Sequence, residues 1–455
     1  MCGIAGTINK NEKHDDFNFN KIKRMMFSRG PDQQGKFLKK TKNLYIQLYS
    51  SRLKIIDIEN KESDQPFIFE NIKLIFNGEI YNYLEIRKEL ASLGHKFKTN
   101  SDTEVLAQSY FRWGIDCIKK FDGMWSFCIY DEKENKIILS RDFFGEKPLF
   151  YYFNEKNLIF GSEINYLKFF KPSLYQINYK KVNDFLVNGY KSIFSNSETY
   201  FKNIYFLKPG EILELDLKNF KKKNIKIDIF KKENVPSNEI ELNEMIRERF
   251  LNSYKKRLRS DVPVNFCLSG GIDSSSLVSI AKKKFDIDPE CYSIINNDER
   301  YNEYENIKYL EEELKLKVNY IDIPKLSFEK FLEKCNEMIN YRKAPIATIS
   351  YYIHSFISQK CKNNNGKVIL SGTGADELFT GYYDHHLFFL NEIKDKNIFN
   401  DELQKWKKFT EKTIRNKKLK LENFLNNPFF RDHIYSNDDN KFKISDYSLF
   451  SEKKL

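Results

Sequence analysis

Phe-Cys-Leu-Ser-Gly-Gly-Ile-Asp-Ser-Ser, residues 266–275, joins an apolar run to a helix-like run through two glycines in this 455-residue chain. That order is typical of a parallel strand that turns directly into a helix. Glycines let the backbone approach a ligand closely, and the first turn of a helix offers free N–H groups to an anion. Taken alone, Ser-Gly-Gly is also compatible with a plain tight turn.

A second segment repeats this order. Val368-Ile369-Leu370 runs into Ser-Gly-Thr-Gly-Ala-Asp-Glu, residues 371–377. Ligands of open α/β sheets bind at the carboxyl ends of the strands, so we expect the two glycine loops to lie side by side around an anion. Asp273 and Asp376 would then share one Mg²⁺, because a carboxylate in an anion cradle is repulsive without a cation. Neither loop matches G-x-x-x-x-G-K-[ST], which excludes a P-loop NTPase.

The regions around these loops differ between the two halves of the chain. From about residue 240, strands alternate with helices, which predicts an α/β domain with a doubly wound parallel sheet. Predicted helices cover 240–259, 274–284, 305–317 and 350–366, and predicted strands cover 291–296, 318–324 and 367–372. Residues 1–165 instead show period-two alternation in 43–59, 72–82, 124–142 and 148–163, with helical patterns in 83–94 and 101–114. This half is predicted to be antiparallel and β-rich.

The amino terminus is unusual. Most chain ends are polar and mobile, whereas Met-Cys-Gly-Ile-Ala-Gly is small and apolar. Either an edge strand begins early or Cys2 has a chemical role, and these six residues alone favour the edge strand.

Bulk composition limits the classes of protein. The length predicts two or three domains, and the 41% hydrophobic content excludes wholesale disorder. We find no run of eighteen apolar residues and no signal-peptide pattern, which predicts a cytoplasmic location. The net charge of +12 is dispersed, with only 405–420 locally basic, so neither nucleic acid nor membrane is predicted as a partner. Seven cysteines without a C-x-x-C pair predict reduced thiols, and any metal should be a hard cation bound by oxygen.

Together the two glycine loops resemble the PP-loop ATP pyrophosphatase fold. More narrowly, SGGIDSS and SGTGADELFTGY are similar to the synthetase domain of glutamine-dependent asparagine synthetases. The resemblance implies ATP and Mg²⁺ as cofactors, with Mg²⁺ held by Asp273 and Asp376. The residues implied to border the nucleotide are Leu268, Ser269, Gly270, Gly271, Asp273, Ser274, Ser275, Ile294, Ser371 and Gly372.

The same family places a class II glutamine amidotransferase domain, an Ntn-hydrolase αββα sandwich, before the synthetase domain. The resemblance implies that Met1 is removed and that Cys2 attacks the glutamine amide, its own α-amine acting as base. An α-amine titrates near neutrality, so it can accept the thiol proton without a histidine. The small Gly3 would leave the nucleophile accessible.

Further motifs follow in family order, and each implies a role in binding glutamine. Arg52 in SRLKIID would bind the α-carboxylate through its guanidinium fork. Asn77 and Gly78 in FNGEIYN would form the oxyanion hole, worth about 3 to 4 kcal/mol per donor in comparable sites. Glu79 and Asp102 would hold the α-ammonium. Taken singly, FNGEIYN is also compatible with an Asn-Gly hairpin turn, and Arg52 with a surface salt bridge. Two more motifs match the family: RGPD (29–32), implied to lie near the nucleophile, and the hairpin 141–149, interpreted as scaffold. Taken together, the motifs favour a nucleophilic Cys2.

The implied organisation has three parts: an amidotransferase domain over 2–190, a connecting region over 191–238 and an ATP-binding synthetase domain over 239–455. The implied activity is that of an asparagine synthase (glutamine-hydrolysing), a carbon–nitrogen ligase. Ammonia from glutamine would displace AMP from an acyl-adenylate of aspartate. A homodimer is expected from the resemblance only.

Two departures from the family pattern leave alternatives open. Thr373 stands where the family usually has an acidic residue, and a hydroxyl cannot replace a carboxylate as base or as partner for a cation. The family signature D-x-x-S-M…E-x-R-x-P-F-L-D is not found between His386 and Leu455. The alternatives are an amidotransferase acting on another carboxylate, such as a sugar acid in surface-polysaccharide assembly, and a glutaminase-only or regulatory protein with an inactive synthetase half.

Overall fold

A computed structural model describes residues 1–10, 19–228, 234–295, 302–323, 327–414 and 421. Its N-terminal half contains two six-stranded antiparallel sheets. Their strands are β1 (Gly3–Lys10), β2 (Gln33–Lys40), β3 (Leu44–Arg52), β4 (Phe67–Phe69), β5 (Ile72–Ile80), β6 (Gly123–Asp131), β7 (Lys136–Arg141), β8 (Phe150–Phe153), β9 (Asn157–Gly161), β10 (Tyr205–Phe206), β11 (Glu211–Asp216) and β12 (Lys221–Lys226). The strand orders are β10-β8-β9-β1-β3-β2 and β12-β11-β7-β6-β5-β4.

The two sheets pack face to face, and helices cover their outer faces. Between the sheets, Ile4 and Ile8 of β1 share one buried cluster with Ile75 of β5 and Leu139 of β7. The helices of this half are α1 (Phe19–Met26), α2 (Tyr83–Ser92), α3 (Asp102–Trp113), α4 (Ile164–Phe170) and α5 (Tyr179–Asn188). Helices α2 and α3 pack on the sheet that contains β5, and α1 and α4 pack on the sheet that contains β1. This is the predicted αββα sandwich. Because β1 lies between β3 and β9, the alternative that it is an edge strand is wrong.

The C-terminal half is built on a four-stranded parallel sheet, as predicted. Its elements are α6 (Glu239–Arg257), β13 (Val264–Cys267), α7 (Ile272–Phe285), β14 (Glu290–Ile295), α8 (Tyr304–Leu314), β15 (Lys317–Asp322), α9 (Phe328–Arg342), α10 (Ser350–Asn363), β16 (Val368–Leu370), α11 (Ala375–Phe379), α12 (Tyr383–Glu392) and α13 (Lys396–Lys405). The strand order is β15-β14-β13-β16. Residues of α7 and α8 pack on one face, and residues of α10 pack on the other. The sheet is therefore doubly wound.

The chain reverses its direction of travel across this sheet between β13 and β16, and both glycine loops leave the sheet there. Such a switch point is where open α/β sheets form their ligand crevice. The loops touch, since a Cβ atom on Gly372 would lie 2.9 Å from Cβ of Asp273 and 3.0 Å from the backbone nitrogen of Ser274. The positive φ of +69° at Gly270 explains the glycine there.

Some predicted boundaries differ from the structure. The strand predicted over 43–59 ends at Arg52, because the chain then leaves the sheet to meet Asp261 of the other half. There the backbone nitrogen of Asp261 donates to Ile55 O at 3.0 Å, and Asp57 N donates to an Asp261 carboxylate oxygen at 2.6 Å. The predicted connecting region, 191–238, contains three strands of the two sheets. Strand β10 pairs with β8, β11 pairs with β7, and β12 pairs with β11.

Parts of several predictions lie outside the described residues. They are 11–18 of the predicted amidotransferase domain, 229–233 of the predicted connecting region, and 296–301, 324–326, 415–420 and 422–455 of the predicted synthetase domain. Among them are the ends of two predicted strands, Asn296 and Pro324, and positions 415–420 of the basic segment. Among the helices that are described, none is long and apolar enough to cross a bilayer.

Ion pairs hold the two halves together. Arg259, just after α6, donates to both carboxylate oxygens of Glu85 at 2.6 Å and to the carbonyl of Tyr81 at 2.6 Å. Lys256 and Arg257, at the end of the same helix, pair with Asp122 at 3.1 and 3.3 Å. These contacts place the end of α6 against the start of α2 and against the residues that flank β5 and β6.

Candidate functional site

A cavity of about 760 Å³ lies between the two halves and is lined by both. Every residue that the sequence assigns to glutamine contributes to its wall: Cys2, Arg52, Asn77, Gly78, Glu79 and Asp102. The C-terminal half contributes Arg257, Ser358, Lys367, Val368, Ile369, Leu370, Ser371 and Thr373. The cavity therefore extends from Cys2 to the second glycine loop of the parallel sheet.

Cys2 immediately precedes β1 and is fixed by the backbone around it. The backbone N–H of Leu53 donates to Cys2 Sγ at 3.3 Å, and Arg29 Nε donates to the Cys2 carbonyl at 2.8 Å. A side chain at position 3 would crowd Ser51 Oγ and the Arg29 side chain, which explains Gly3. The sulfur is thus held at the point where the chain leaves β3.

The terminal amino group of Met1 lies in a different environment from the Met1 side chain. The Met1 side chain is exposed, but burial of the terminal amine, with Arg29 and Lys147 nearby, lowers the pKa of that amine to about 6. The Met1 amine is therefore mostly neutral at pH 7.

Asn77 and Gly78 lie inside β5 and not in a turn, so the hairpin-turn alternative is wrong. Asn77 Nδ2 donates to Ser126 Oγ at 3.3 Å, whereas its buried Oδ1 has no hydrogen-bond partner among the described residues. A side chain at Gly78 would collide with the carbonyl oxygen of Met124 on β6. Only glycine therefore allows β5 and β6 to pair at this point.

Two buried carboxyl groups share one wall of the cavity. Burial, reinforced by the neighbouring Asp102, raises the pKa of Glu79 to about 7. Burial likewise raises the pKa of Asp102 to about 6, although the Ile80 N–H donates to its Oδ2 at 3.0 Å. The neighbouring Asp102 opposes the ionisation of Glu79, so a cation bound beside the two carboxyl groups would be favoured.

Arg52 is 4% exposed, so the surface salt-bridge alternative is wrong. Its terminal nitrogens donate to Ser63 Oγ and to the Ile56 carbonyl, both at 2.7 Å, and one lies 3.4 Å from Asp64 Oδ1. These contacts hold the guanidinium group in the cavity wall.

Lys147 is a cavity residue that the sequence analysis treats only as scaffold. It is 7% exposed, and burial lowers the pKa of its amino group, while Glu79 and Cys2 act in the opposite direction. Arg141 of the same hairpin does serve as scaffold, since it donates to the carbonyls of Gly145, Lys147 and Leu207.

The predicted nucleotide residues gather at the switch point of the parallel sheet. Ser269 N donates to Ser274 Oγ at 3.1 Å, which closes the first loop, and the buried Ser275 Oγ has no hydrogen-bond partner among the described residues. Ser371 Oγ lies 2.6 Å from Thr373 Oγ1 in the second loop. Ile294 is on the neighbouring strand β14.

The carboxylates predicted to hold Mg²⁺ lie at the starts of two helices, Asp273 in the first turn of α7 and Asp376 in that of α11. No group of three His, Cys, Asp or Glu side chains suited to a metal occurs in the described part of the chain. The carboxylate donors nevertheless fit Mg²⁺, which usually takes one or two carboxylates and completes its shell with water and substrate phosphates.

Comparison with known proteins agrees with this architecture. A family model described as a glutamine amidotransferase domain matches residues 1–225, and one described as asparagine synthase matches residues 245–423. Fold and site thus define a two-domain protein with an amidotransferase unit and a synthetase-like unit.

Individual relatives narrow the class to a family. The chain is 30% identical over 419 residues to a Methanocaldococcus jannaschii protein named "Putative asparagine synthetase [glutamine-hydrolyzing] 2", covering 85% of this chain and 76% of that one. It is 30% identical to asparagine synthetase [glutamine-hydrolyzing] 1 of Bacillus subtilis and 32% identical to that organism's asparagine synthetase 2. It spans 59% and 52% of the lengths of those two relatives. The chain belongs to the glutamine-hydrolysing asparagine synthetase family.

Proposed function

We propose that this protein hydrolyses glutamine at Cys2 and delivers the ammonia to a carboxylate that its C-terminal half activates with ATP. One observation carries the proposal: Cys2 and the second glycine loop line the same cavity. Ammonia released at the sulfur would reach Ser371 and Thr373 without leaving the protein, which limits its protonation and loss.

In the first half-reaction, the α-ammonium of glutamine binds Glu79 and Asp102, and its α-carboxylate binds Arg52. After removal of Met1, the α-amine of Cys2 accepts the thiol proton, and the sulfur bonds to the amide carbon. The amide C–N bond then breaks, and the proton passes to the leaving nitrogen to give ammonia. Water finally cleaves the thioester to glutamate.

The oxyanion formed on this path requires donors at Asn77 and Gly78. A half-turn of the Asn77 amide would let the Ser126 hydroxyl donate to Oδ1, the atom that now has no partner among the described residues, and would free the NH₂ group for the cavity.

In the second half-reaction, the loops 268–275 and 371–372 bind ATP, and the helix N-terminus of α7 faces the phosphates. A Mg²⁺ ion held by Asp273 and Asp376 would neutralise phosphate charge. Attack of the acceptor carboxylate on the α-phosphorus gives an acyl-adenylate and pyrophosphate, and ammonia then displaces AMP. The family makes aspartate the leading acceptor.

Thr373 supports a second candidate acceptor. Its hydroxyl bonds to Ser371 and lines the cavity, at the position where the family usually has an acid. A site without that carboxylate is less suited to an acceptor that carries its own ammonium group, which favours a carboxylate without one, such as a sugar acid.

The test measures glutamate, AMP and pyrophosphate with glutamine or ammonium as nitrogen source. Aspartate-dependent AMP supports asparagine synthesis, and AMP that forms only with another acid supports the second candidate. Glutamate release with no AMP from any acid contradicts the ligase and leaves a glutaminase. The C2A variant is the matched control, because it should lose the glutamine-dependent reaction and keep the ammonium-dependent one.

A further inference from the structure

Lys367 reaches from the ATP-binding half into the segment that holds Cys2. Its ammonium group donates to Asp32 Oδ2 at 2.6 Å and to the Lys54 carbonyl at 3.3 Å. No other ion pair across the two halves, among the described residues, touches the backbone beside the nucleophile. Its position is therefore different from that of the pairs formed by Lys256 and Arg259.

The segment 52–54, here named the Cys2 support, carries one proposed glutamine-site residue and a backbone N–H that contacts the nucleophile. Leu53 N–H donates to Cys2 Sγ, and the Arg52 guanidinium lies in the cavity wall. Asp32 holds both ends of the support, since its own N–H donates to the Arg52 carbonyl at 3.1 Å and its carboxylate accepts from Lys54 N at 2.8 Å. Lys367 completes this arrangement from the other half.

Along the chain, a short strand connects Lys367 to the second glycine loop. It precedes β16, which is only three residues long and is followed at once by Ser371 and Gly372. Because β16 pairs with β13 in the parallel sheet, Lys367 and the second glycine loop are held at the two ends of one short strand.

A second path between the halves also ends at Cys2. The Tyr341 hydroxyl of α9 donates to Glu163 at 2.6 Å, and Glu163 pairs with Arg29 at 3.4 Å. Arg29 in turn donates to the Cys2 carbonyl. The ATP-binding half therefore contacts the environment of the nucleophile residue from two directions.

We propose that Lys367 is a positioning residue through which the ATP-binding half holds the Cys2 support in the geometry for glutamine hydrolysis. The inference rests on the proposed function, because it assigns Lys367 to the glutaminase step. It predicts that glutaminase efficiency depends on a lysine of the other half that contacts Asp32 and the Cys2 support.

The experiment compares K367M, K367R and K256M in the full-length protein. K256M is the matched control, since it removes a lysine–aspartate pair of 3.1 Å across the same interface, away from the Cys2 support. The readouts are kcat and KM for glutamate release and the rate at which a thiol-alkylating reagent modifies Cys2.

We expect K367M to lower kcat/KM for glutamine at least tenfold, with changes in both constants and in the alkylation rate of Cys2. K367R should recover most of the activity, because an arginine also donates to a carboxylate and a carbonyl. K256M should stay within twofold of the wild type. Equal losses in K256M and K367M, or no loss in K367M, would overturn the inference.

A variant at the other partner covers the case in which K367M does not fold. D32N removes the charged acceptor and should give a similar loss, and K367M/D32N should lose no more than either single variant. Additive losses would contradict the inference. Wild-type protein that releases no glutamate would contradict the proposed function and the inference with it, whereas active wild type beside equally active K367M would contradict the inference alone.

Discussion

Glu79 and Asp102 place two carboxyl groups in the wall of a buried cavity, and burial raises the pKa values of both. An acid with a raised pKa in the folded protein is destabilising when it is ionised, because the unfolded chain ionises it more easily. The protein therefore carries a cost in stability at the place where the proposed ligand, glutamine, brings a compensating ammonium group.

Glu79→Gln should make the protein more stable at pH 8 and less able to bind glutamine. The penalty appears as pH rises from the ordinary pKa of 4.5 to the folded value of about 7. Removing it should raise the free energy of unfolding by on the order of 2 to 3 kcal/mol. Urea denaturation at pH 8 and pH 4 checks this, since the difference should vanish at pH 4. A variant less stable than the wild type at pH 8 would contradict the assignment.

The KM for glutamine should rise as the pH falls from 8 to 6. Over this range Glu79, with a pKa of about 7, gains a proton first, and Asp102, with a pKa of about 6, follows, so the site loses the charges that hold an ammonium group. Initial rates of glutamate release across the range measure the effect. A KM that does not change with pH would count against both roles.

At the scale of single elements, the hairpin between β7 and β8 is held by one half-buried arginine. Arg141 donates to three carbonyls, and the hairpin carries Lys147 into the cavity. Because three acceptors would lose a charged donor, Arg141→Met should lower the free energy of unfolding by on the order of 3 kcal/mol. Urea denaturation measures this, with the exposed Lys119→Met as control. A loss as small as that of the control would show that the hairpin does not depend on Arg141.

Sequence patterns predict some elements better than others. Both glycine loops and their strands can be predicted, because strand, glycine and helix follow one another within a few residues. The end of β3 at Arg52 cannot, since the apolar pattern continues to Ile58 while the chain turns towards Asp261, which is distant in sequence. The position of Asn77 and Gly78 inside β5 also depends on pairing with β6, not on local turn preference.

Some residues of the candidate site can likewise be predicted from the sequence, and others cannot. Its glutamine-site residues can be predicted from motifs, and the structure brings them into one wall. Lys147 and Lys367 cannot be assigned from sequence, because their importance comes from burial and from a partner 335 positions away in the chain. The burial of a side chain and its partners distant in sequence are known only when the fold is known.

At the scale of the whole molecule, Cys2 and the second glycine loop line one cavity, which would connect the two proposed reactions. If ammonia moves inside it, nitrogen from [amide-¹⁵N]glutamine should reach the amide product even when unlabelled ammonium is present in solution. Mass spectrometry of the product formed with whichever acid supports AMP formation measures the label. Dilution of the label to the level of free ammonium would mean that the cavity does not retain ammonia.

The most direct test of the account measures glutamate release by the wild-type protein and by Cys2→Ser, with the amino terminus of each determined by mass spectrometry. We predict that the wild type begins at Cys2, lacks Met1 and forms glutamate. The serine variant should lose at least 99% of that rate, because its hydroxyl is a far weaker nucleophile than a thiolate. Active wild type that retains Met1, or a serine variant with unchanged glutamate formation, would contradict the account.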